Sequence, residues 1–206
     1  MPISYRISSI SDLFNKVLDN PVDLALAQTQ FQAALVAHCN NFNCSGNLVD
    51  LALPTASIDY STIPANGGNG GGAFNWKPVR LAHSFTRIDE VQLRSGAEID
   101  FIRLKMTDGV EYEFTGDYGG SGGSYKTWKV PTGEYITQII IRTGSRVDAL
   151  QFITNKGNTS PYYGGNGGSK KTLTVPKDYQ IIGIFGRSGS RIDKLGFNIA
   201  KVVYKD

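Results

Sequence analysis

The chain has few of the residues that build metal centres or covalent catalytic sites. Among its 206 residues there are two cysteines and two histidines. Cys39 and Cys44 form one Cys-x4-Cys pair beside His38, which is too small a ligand set to predict a zinc site. We expect two ordinary thiols, or a local disulfide if the protein is exported. No metal or other cofactor is predicted.

Long apolar runs and a strong charge are also missing. No stretch of about 18 apolar residues occurs, so no transmembrane helix is predicted. The formal net charge of +3 is too small to indicate a nucleic-acid partner. The first residues lack a basic region followed by an apolar one, so no secretory signal is predicted. A cytoplasmic or non-classically exported protein is therefore expected.

Glycine is almost absent from the first 60 residues. Gly46 is the only one there, and the other 23 of the 24 glycines follow. This shift predicts an N-terminal segment, residues 1–61, and a second domain, residues 62–206. Helical periodicity in residues 8–39 predicts two helices, while residues 47–53 fit either a helix or a strand. We expect an α-helical extension that packs on the second domain or joins subunits into a homo-oligomer.

The second domain repeats two motifs three times. A Gly-x-x-x-Asp turn begins at residues 96, 144 and 189, so its copies are 48 and 45 positions apart. A glycine-rich loop occupies residues 67–71, 119–123 and 164–168, at intervals of 52 and 45. Between them, apolar and polar residues alternate as in half-buried β-strands. Two interleaved motifs at a regular spacing predict a threefold-repeated fold.

The repeats do not begin and end at the same point of the motif. The third unit has no glycine loop after its turn, whereas the loop at residues 67–71 precedes the first unit. The simplest solution is closure, in which the start of the domain completes the sheet at its end and leaves no long strand edge unpaired. About twelve short strands, four in each unit, are then expected.

Two segments resemble the jacalin-related lectins. Residues 141–152, with Gly144-Ser145-Arg146-Val147-Asp148 at their centre, resemble the strand–turn–strand core of that family, and residues 162–168 resemble its glycine loop. The resemblance covers about residues 62–206 and is specific because both motifs recur in alternating order. It implies an all-β prism of three four-stranded Greek-key sheets about a pseudo-threefold axis. Within the family, the chain resembles the mannose-binding members that have three sites.

In that family each sugar lies between one turn and one glycine loop. The aspartate accepts hydrogen bonds from two sugar hydroxyls, and backbone amides donate to sugar oxygens, as an acceptor-only carboxylate and bare glycine backbone allow. The implied first site joins Gly96, Ala97, Glu98 and Asp100 to Gly119 and Gly120. The second joins Gly144, Ser145, Arg146 and Asp148 to Gly164 and Gly165. The third joins Gly189, Ser190, Arg191 and Asp193 to Gly67 and Gly68.

The resemblance implies a non-enzymatic lectin whose partners are mannose-containing glycans or glycoproteins. Galactose binding in the family depends on a free N-terminal glycine at the first loop. Here Gly67 lies inside a continuous chain, so mannose- or glucose-type ligands are expected. Glu98 stands where the other two turns have arginine, which predicts that the first site differs in affinity or preferred glycan.

Other functions remain open at this point. Basic residues lie near two of the three predicted sites and suggest binding of anionic glycans or membrane headgroups. These residues are Arg142, Arg146, Arg187, Arg191, Lys170 and Lys171. A further alternative is that the protein is the targeting module of a larger oligomer or toxin, in which the N-terminal segment oligomerises or docks on the partner. An enzyme is disfavoured because three separated carboxylates lack the paired geometry that glycosidases need.

Four aromatic residues near the motifs are divided between rim and core. Tyr162 and Tyr163, just before a glycine loop, are expected at the rim of the second site. Trp76 and Trp128 could stack on sugars, but packing in the interior or at the prism end is the expectation.

Overall fold

The computed structural model describes residues 55–78, 87–107 and 112–205. The helices predicted for residues 8–39, the undecided segment 47–53 and both cysteines lie outside the described residues. All regular structure in the described part is β-strand. Its strands are β1 (Thr55–Gly67), β2 (Gly72–Trp76), β3 (Arg87–Ser95), β4 (Ile99–Thr107), β5 (Tyr112–Phe114), β6 (Tyr118–Gly119), β7 (Ser124–Lys129), β8 (Ile136–Thr143), β9 (Val147–Thr154), β10 (Tyr163–Gly164), β11 (Ser169–Thr174), β12 (Gln180–Ser188) and β13 (Ile192–Lys205).

The strands form three antiparallel sheets. The first sheet has the order β1-β13-β12-β2, the second β5-β4-β3-β7 with β6 also on β4, and the third β10-β9-β8-β11. In the first sheet β1 pairs with β13 from Thr55↔Lys205 to Gly67↔Lys194. The two ends of the domain therefore share one sheet, as the closure prediction required. That sheet begins at Thr55, earlier than the residue 62 suggested by glycine content.

The core lies where the inner faces of the three sheets meet. The central strands β4, β9 and β13 contact one another, so they surround a common axis. Each contributes fully buried side chains to this region, such as Ile102, Phe152 and Phe197. Burying one such side chain contributes about 1.5–3 kcal/mol. The alternation read from the sequence thus builds the predicted all-β prism with three repeated sheets.

The second sheet departs from four strands because its outer strand is split into β5 and β6. Between these two strands the Thr115 hydroxyl accepts a hydrogen bond from the Leu104 amide at 2.9 Å. Ser160 accepts from the Phe152 amide at 2.9 Å in the third sheet. In both places a hydroxyl replaces the carbonyl of a neighbouring strand, so the buried amide stays satisfied where pairing is interrupted.

Each central hairpin has the same irregularity just before its turn. The register shifts between Arg94 and Ser95, between Arg142 and Thr143, and between Arg187 and Ser188. Such bulges bend a strand and redirect its side chains. Because the bulge recurs, the preceding strand enters each of the three Gly-x-x-x-Asp turns in the same way.

A buried carboxylate stabilises the third sheet. Glu134 is 6% exposed, and its Oε2 accepts a hydrogen bond from Thr154 Oγ1 at 2.6 Å. Asn158 Nδ2 donates to Oε1 at 2.8 Å. These bonds, first that of Thr154 and then that of Asn158, lower the pKa of Glu134 below its usual 4.5.

This network predicts an acid-sensitive contribution to stability. Because the pKa of Glu134 is lower in the folded chain, folding favours the carboxylate. The contribution is complete above the unfolded pKa and is lost as pH falls through the folded pKa. We expect Glu134→Gln to lower the free energy of unfolding at about pH 7 and to have less effect at about pH 3. Urea unfolding at both pH values measures this.

Glu113→Gln on β5 is the matched control, since Glu113 is exposed and its substitution should change stability little at either pH. Equal pH dependence in the two variants would contradict the assignment.

Candidate functional site

Each Gly-x-x-x-Asp turn lies against one glycine loop. The contact is a backbone hydrogen bond from the second loop glycine to the carbonyl of the turn aspartate. The pairs are Gly120 to Asp100 at 2.8 Å, Gly165 to Asp148 at 3.0 Å and Gly68 to Asp193 at 2.8 Å. The structure thus brings together all three predicted pairs of turn and loop, including the third pair across the closure. We name the sites after their aspartates: the Asp100, Asp148 and Asp193 sites.

Each turn is also closed on itself. The amide of its first glycine donates to the carbonyl of its third residue. These bonds are Gly96 to Glu98 at 3.1 Å, Gly144 to Arg146 at 3.0 Å and Gly189 to Arg191 at 3.0 Å. The three turns therefore share one backbone geometry, whatever side chain the third residue carries.

The last two glycines of each loop face the aspartate carboxylate. A Cβ on Gly122 would lie 2.6 Å from Asp100 Oδ1, and one on Gly70 would lie 2.6 Å from Asp193 Oδ1. Gly123 has φ +60°, a conformation that favours glycine. A side chain at these positions would fill the space beside the carboxylate. From the sequence, only the first two glycines of each loop were predicted to be site residues. In the structure the last two glycines line the sites as well.

An arginine anchors each loop from the strand that precedes the turn. We call Arg94, Arg142 and Arg187 the anchor arginines. Arg142 donates to the carbonyls of Asn166, Gly167 and Gly168 at 2.7–2.8 Å. Arg94 donates to Gly122 and Gly123 at 2.9 Å, and Arg187 to Gly70 and Gly71 at 2.8 and 2.6 Å.

The anchor arginines carry a sequence signal that could have been found. Each lies two residues before the first glycine of a turn, so the motif is Arg-(Ser/Thr)-Gly-x-x-x-Asp in all three repeats. Loop carbonyls that would otherwise face solvent are bound by a planar guanidinium. Each loop is therefore held in one shape beside its aspartate.

Each loop also touches the turn of a neighbouring repeat. A Cβ on Gly120 would lie 2.6 Å from the Ser190 carbonyl oxygen, and one on Gly165 2.5 Å from that of Ala97. A Cβ on Gly68 would collide with the Ser145 carbonyl. Every loop therefore lies between its own turn and the next one, and the three sites form a ring at one end of the prism.

The third residues of the turns meet inside this ring. Glu98 Oε2 lies 2.6 Å from Arg191 Nη1 and 3.2 Å from Arg146 Nη1. We call these three residues the axial cluster. Arg191 Nε is also 3.5 Å from Asp100 Oδ1, and Arg146 Nε is 3.8 Å from Asp193 Oδ1. From the sequence, these residues were predicted to contribute through their backbone; in the structure their side chains also connect the sites.

The Asp148 carboxylate has different surroundings. Its Oδ2 is buried and has no hydrogen-bond partner among the described residues. No lysine or arginine nitrogen in the described part of the chain lies within 4.0 Å of it, unlike Asp100 and Asp193. A buried acceptor without a hydrogen bond is destabilising, and a hydroxyl donor that reached it would remove that cost.

Of the two tyrosines predicted at the rim, only Tyr162 is exposed. Its hydroxyl donates to the Gly165 carbonyl at 3.0 Å. Tyr163 is 2% exposed and belongs to the core, because the alternation of β10 turns it inward; burial raises the pKa of its hydroxyl. Trp76 and Trp128 pack against the core, as expected.

Most of the basic residues near the sites are engaged within the protein. Arg142 and Arg187 bind loop carbonyls, while Arg146 and Arg191 pair with Glu98. Lys171 Nζ donates to Asn66 Oδ1 at 2.7 Å. Their charges are largely used for structure, which weakens the case for a surface that attracts anionic glycans or headgroups.

The arrangement suits a neutral, hydroxyl-rich ligand. Three carboxylate acceptors stand beside glycine backbone at the prism surface, where a ligand can approach the main chain closely.

The described residues contain no group of three or more His, Cys, Asp or Glu side chains that could hold a metal ion. Within the same residues, no helix has the length and apolarity to cross a membrane.

The anchor arginines lead to a stability prediction. Arg142→Lys keeps the charge but cannot reproduce three hydrogen bonds in one plane. We expect the free energy of unfolding to fall by about 1–2 kcal/mol, measured by urea unfolding at neutral pH. Lys170→Ala on the neighbouring strand is the control, because Lys170 is exposed. If both variants were equally stable, Arg142 would not hold the loop.

Comparison with known proteins places this geometry in a family. The jacalin-like lectin domain family matches residues 63–198. The chain is 26% identical to a mannose-binding jacalin-related lectin from Ananas comosus, with 68% of this chain and 96% of that one covered and a TM-score of 0.59. For a Malaysian banana lectin the values are 29%, 68%, 98% and 0.58.

A third structure extends the likeness in fold alone. Frutapin, a lectin from Artocarpus incisa, is 21% identical, with 68% of this chain and 96% of that one covered and a TM-score of 0.60. No protein of curated function matches the chain significantly. The domain match spans more than half of the chain and contains all three turns, so the protein belongs to the jacalin-like lectin family, a family of carbohydrate-binding proteins that are not enzymes.

Proposed function

We propose that the protein is a lectin for mannose- or glucose-type glycans with up to three binding sites. One observation carries this proposal: the same carboxylate, anchored glycine loop and closed turn occur three times around one axis. A structural role alone would explain one such turn but gives no reason for three carboxylates that each lie beside bare glycine backbone.

Each site divides the recognition of a sugar between charge and backbone. The aspartate accepts hydrogen bonds from two adjacent hydroxyls, since an ionised carboxylate has no proton to donate. Amides of the turn and loop donate to the ring or hydroxyl oxygens. The anchor arginine holds the loop in place before the sugar arrives, which lowers the entropy cost of binding.

The continuous chain at the first glycine loop supports a mannose- or glucose-type ligand. Strand β1 ends at Gly67, and Gly67 pairs with Lys194 of β13. There is thus no free amino terminus at this loop, the feature that galactose binding in the family needs. The similar lectin from Ananas comosus is described as mannose-binding, which points the same way.

Three sites at one end of the prism favour multivalent binding. A single shallow site is expected to bind a monosaccharide weakly. When one site has bound a branched glycan, the other sites meet its remaining branches at a high effective concentration, which can raise avidity about 10²–10⁴-fold.

Substituting the aspartates tests the site assignment. Asp148→Asn keeps the size of the side chain but replaces one acceptor oxygen by a donor group. We expect the affinity of that site for methyl α-mannoside to fall at least about tenfold. NMR titration measures this, with the loop-tip amides of Ser121, Asn166 and Asn69 reporting the Asp100, Asp148 and Asp193 sites.

Asp178→Asn is the matched control, because Asp178 is exposed and precedes β12, at the opposite end of that strand from the turn of residues 189–193. Its mannoside affinity should equal that of the unchanged protein. The proposal fails if mannoside and glucoside shift none of the three loops, or if Asp148→Asn leaves the shift at Asn166 intact.

The N-terminal segment remains our proposed element of oligomerisation. Since β1 begins at Thr55, a deletion that spares the prism must end at residue 54. We expect this deletion to reduce the mass in solution to that of one chain, as measured by light scattering, with mannoside binding unchanged. A full chain that is already monomeric would exclude this role.

A further inference from the structure

The ring arrangement means that two turns, not one, border each site. The Asp100 site has its own turn on one side and the turn of residues 189–193 on the other, where Arg191 reaches Asp100. The Asp193 site is bordered in the same way by the turn of residues 144–148, where Arg146 reaches Asp193. The third residue of a turn therefore lies beside the carboxylate of the next site.

The same order follows from the residue that precedes each glycine loop. Tyr118, before the loop of the Asp100 site, stacks on Phe74 with ring centroids 3.9 Å apart. Phe74 belongs to the sheet that carries Arg191. Asn66, before the loop of the Asp193 site, is bound by Lys171, which belongs to the sheet that carries Arg146. The neighbours are thus the same whether judged from charges or from packing.

The Asp148 site completes this pattern with Glu98 as its neighbour. Its loop packs at Gly165 against Ala97, the residue before Glu98. Its preceding residue, Tyr163, faces Lys126 at 5.9 Å from the ring centroid, and Lys126 belongs to the sheet that carries Glu98. Glu98, which was assigned from the sequence to the Asp100 site, thus borders the Asp148 site.

We propose that the third residue of each turn selects the ligand of the neighbouring site, so that Glu98 makes the Asp148 site reject anionic sugars more strongly than the other two sites do. This inference rests on the proposed lectin function. At the Asp100 and Asp193 sites, an arginine beside the carboxylate balances its charge and offers a donor to a phosphate or sulfate on the sugar. By the same pattern the Asp148 site has a second carboxylate, that of Glu98, in that position, and its buried Oδ2 has no hydrogen-bond partner among the described residues.

The charges of the axial cluster decide how large the effect can be. Arg146 and Arg191 are both paired with Glu98, so their remaining charge toward a ligand is partial. Side chains in this cluster are 22–44% exposed, and solvent screens them. We therefore expect discrimination of about fivefold between the sites, not an absolute preference.

Site-resolved NMR titration of the full chain tests this proposal. The neutral probe is methyl α-mannoside, and the anionic probes are mannose with a phosphate on O1 or on O6. The measured quantity is the affinity for the neutral probe divided by that for each anionic probe. We expect this ratio to be about fivefold higher at Asn166 than at Ser121 or Asn69 for at least one anionic probe.

Two substitutions then separate a neighbour effect from an effect within the same turn. Glu98→Gln removes the charge but keeps an acceptor, and it should lower the ratio at Asn166 more than at Ser121. Arg191→Gln should raise the ratio at Ser121, because it removes the arginine beside Asp100. It should raise the ratio at Asn166 by a smaller amount, because Glu98 keeps Arg146 as a partner. Thermal unfolding of both variants shows whether the prism is intact. Glu98→Gln is preferred to Glu98→Arg, because an arginine at this position would be repelled by Arg146 and Arg191.

The outcomes are distinct. If methyl α-mannoside shifts no loop, the proposed function itself fails. If it shifts all three loops but the ratio is the same at each, only the present inference fails. A larger change at Ser121 than at Asn166 in Glu98→Gln would show that Glu98 acts on its own turn, which would also overturn the inference.

Discussion

The close approach of glycine backbone to the aspartate turns is the constraint on which the end of the prism depends. Each loop contacts two turns at once, and a single Cβ at Gly120 would meet the carbonyl of Ser190. With no side chain between them, loop and turn are joined by a backbone hydrogen bond, as from Gly120 to Asp100. Because every loop is held between two turns, three local motifs become one connected ring of sites.

That connection explains why equal backbones can carry unequal sites. The turns are closed by the same hydrogen bonds, so the variation is confined to side chains such as Glu98, Arg146 and Arg191. These side chains point toward the axis, where they pair with one another and with the carboxylates of neighbouring sites. The side-chain surroundings of Asp100 and Asp193 therefore depend on two repeats each.

Much of the fold and part of the site could be predicted because they follow from local patterns. Alternation gave the strands of the described region, and the orphan loop at residues 67–71 led to the closure through β1 and β13. The positions of two side chains, those of Tyr163 and Glu98, could be established only from the tertiary structure. Tyr163 was expected at the rim and is buried, because its direction is set by the pairing of β10 with β9, and a two-residue strand is too short for its alternation to be recognised in the sequence. Glu98 was assigned to the first site, and its carbonyl does close that turn, but its side chain pairs with arginines of the other two turns, which sequence order does not show.

The sequence by itself determined the threefold repetition, the positions of the turns and loops, and the chemical groups in each site, because these depend on residue type and spacing along the chain. Only the tertiary structure decided which loop meets which turn on both sides and that the anchor arginines hold the loops. It also decided that, among the residues it describes, an arginine lies beside Asp100 and Asp193 but none beside Asp148. Many of these contacts join residues far apart in the chain, such as Arg142 with Asn166, 24 positions apart, and Arg187 with Gly70, 117 positions apart. They exist only after the sheets pack around the axis, where burial and backbone closeness, not sequence distance, set the partners.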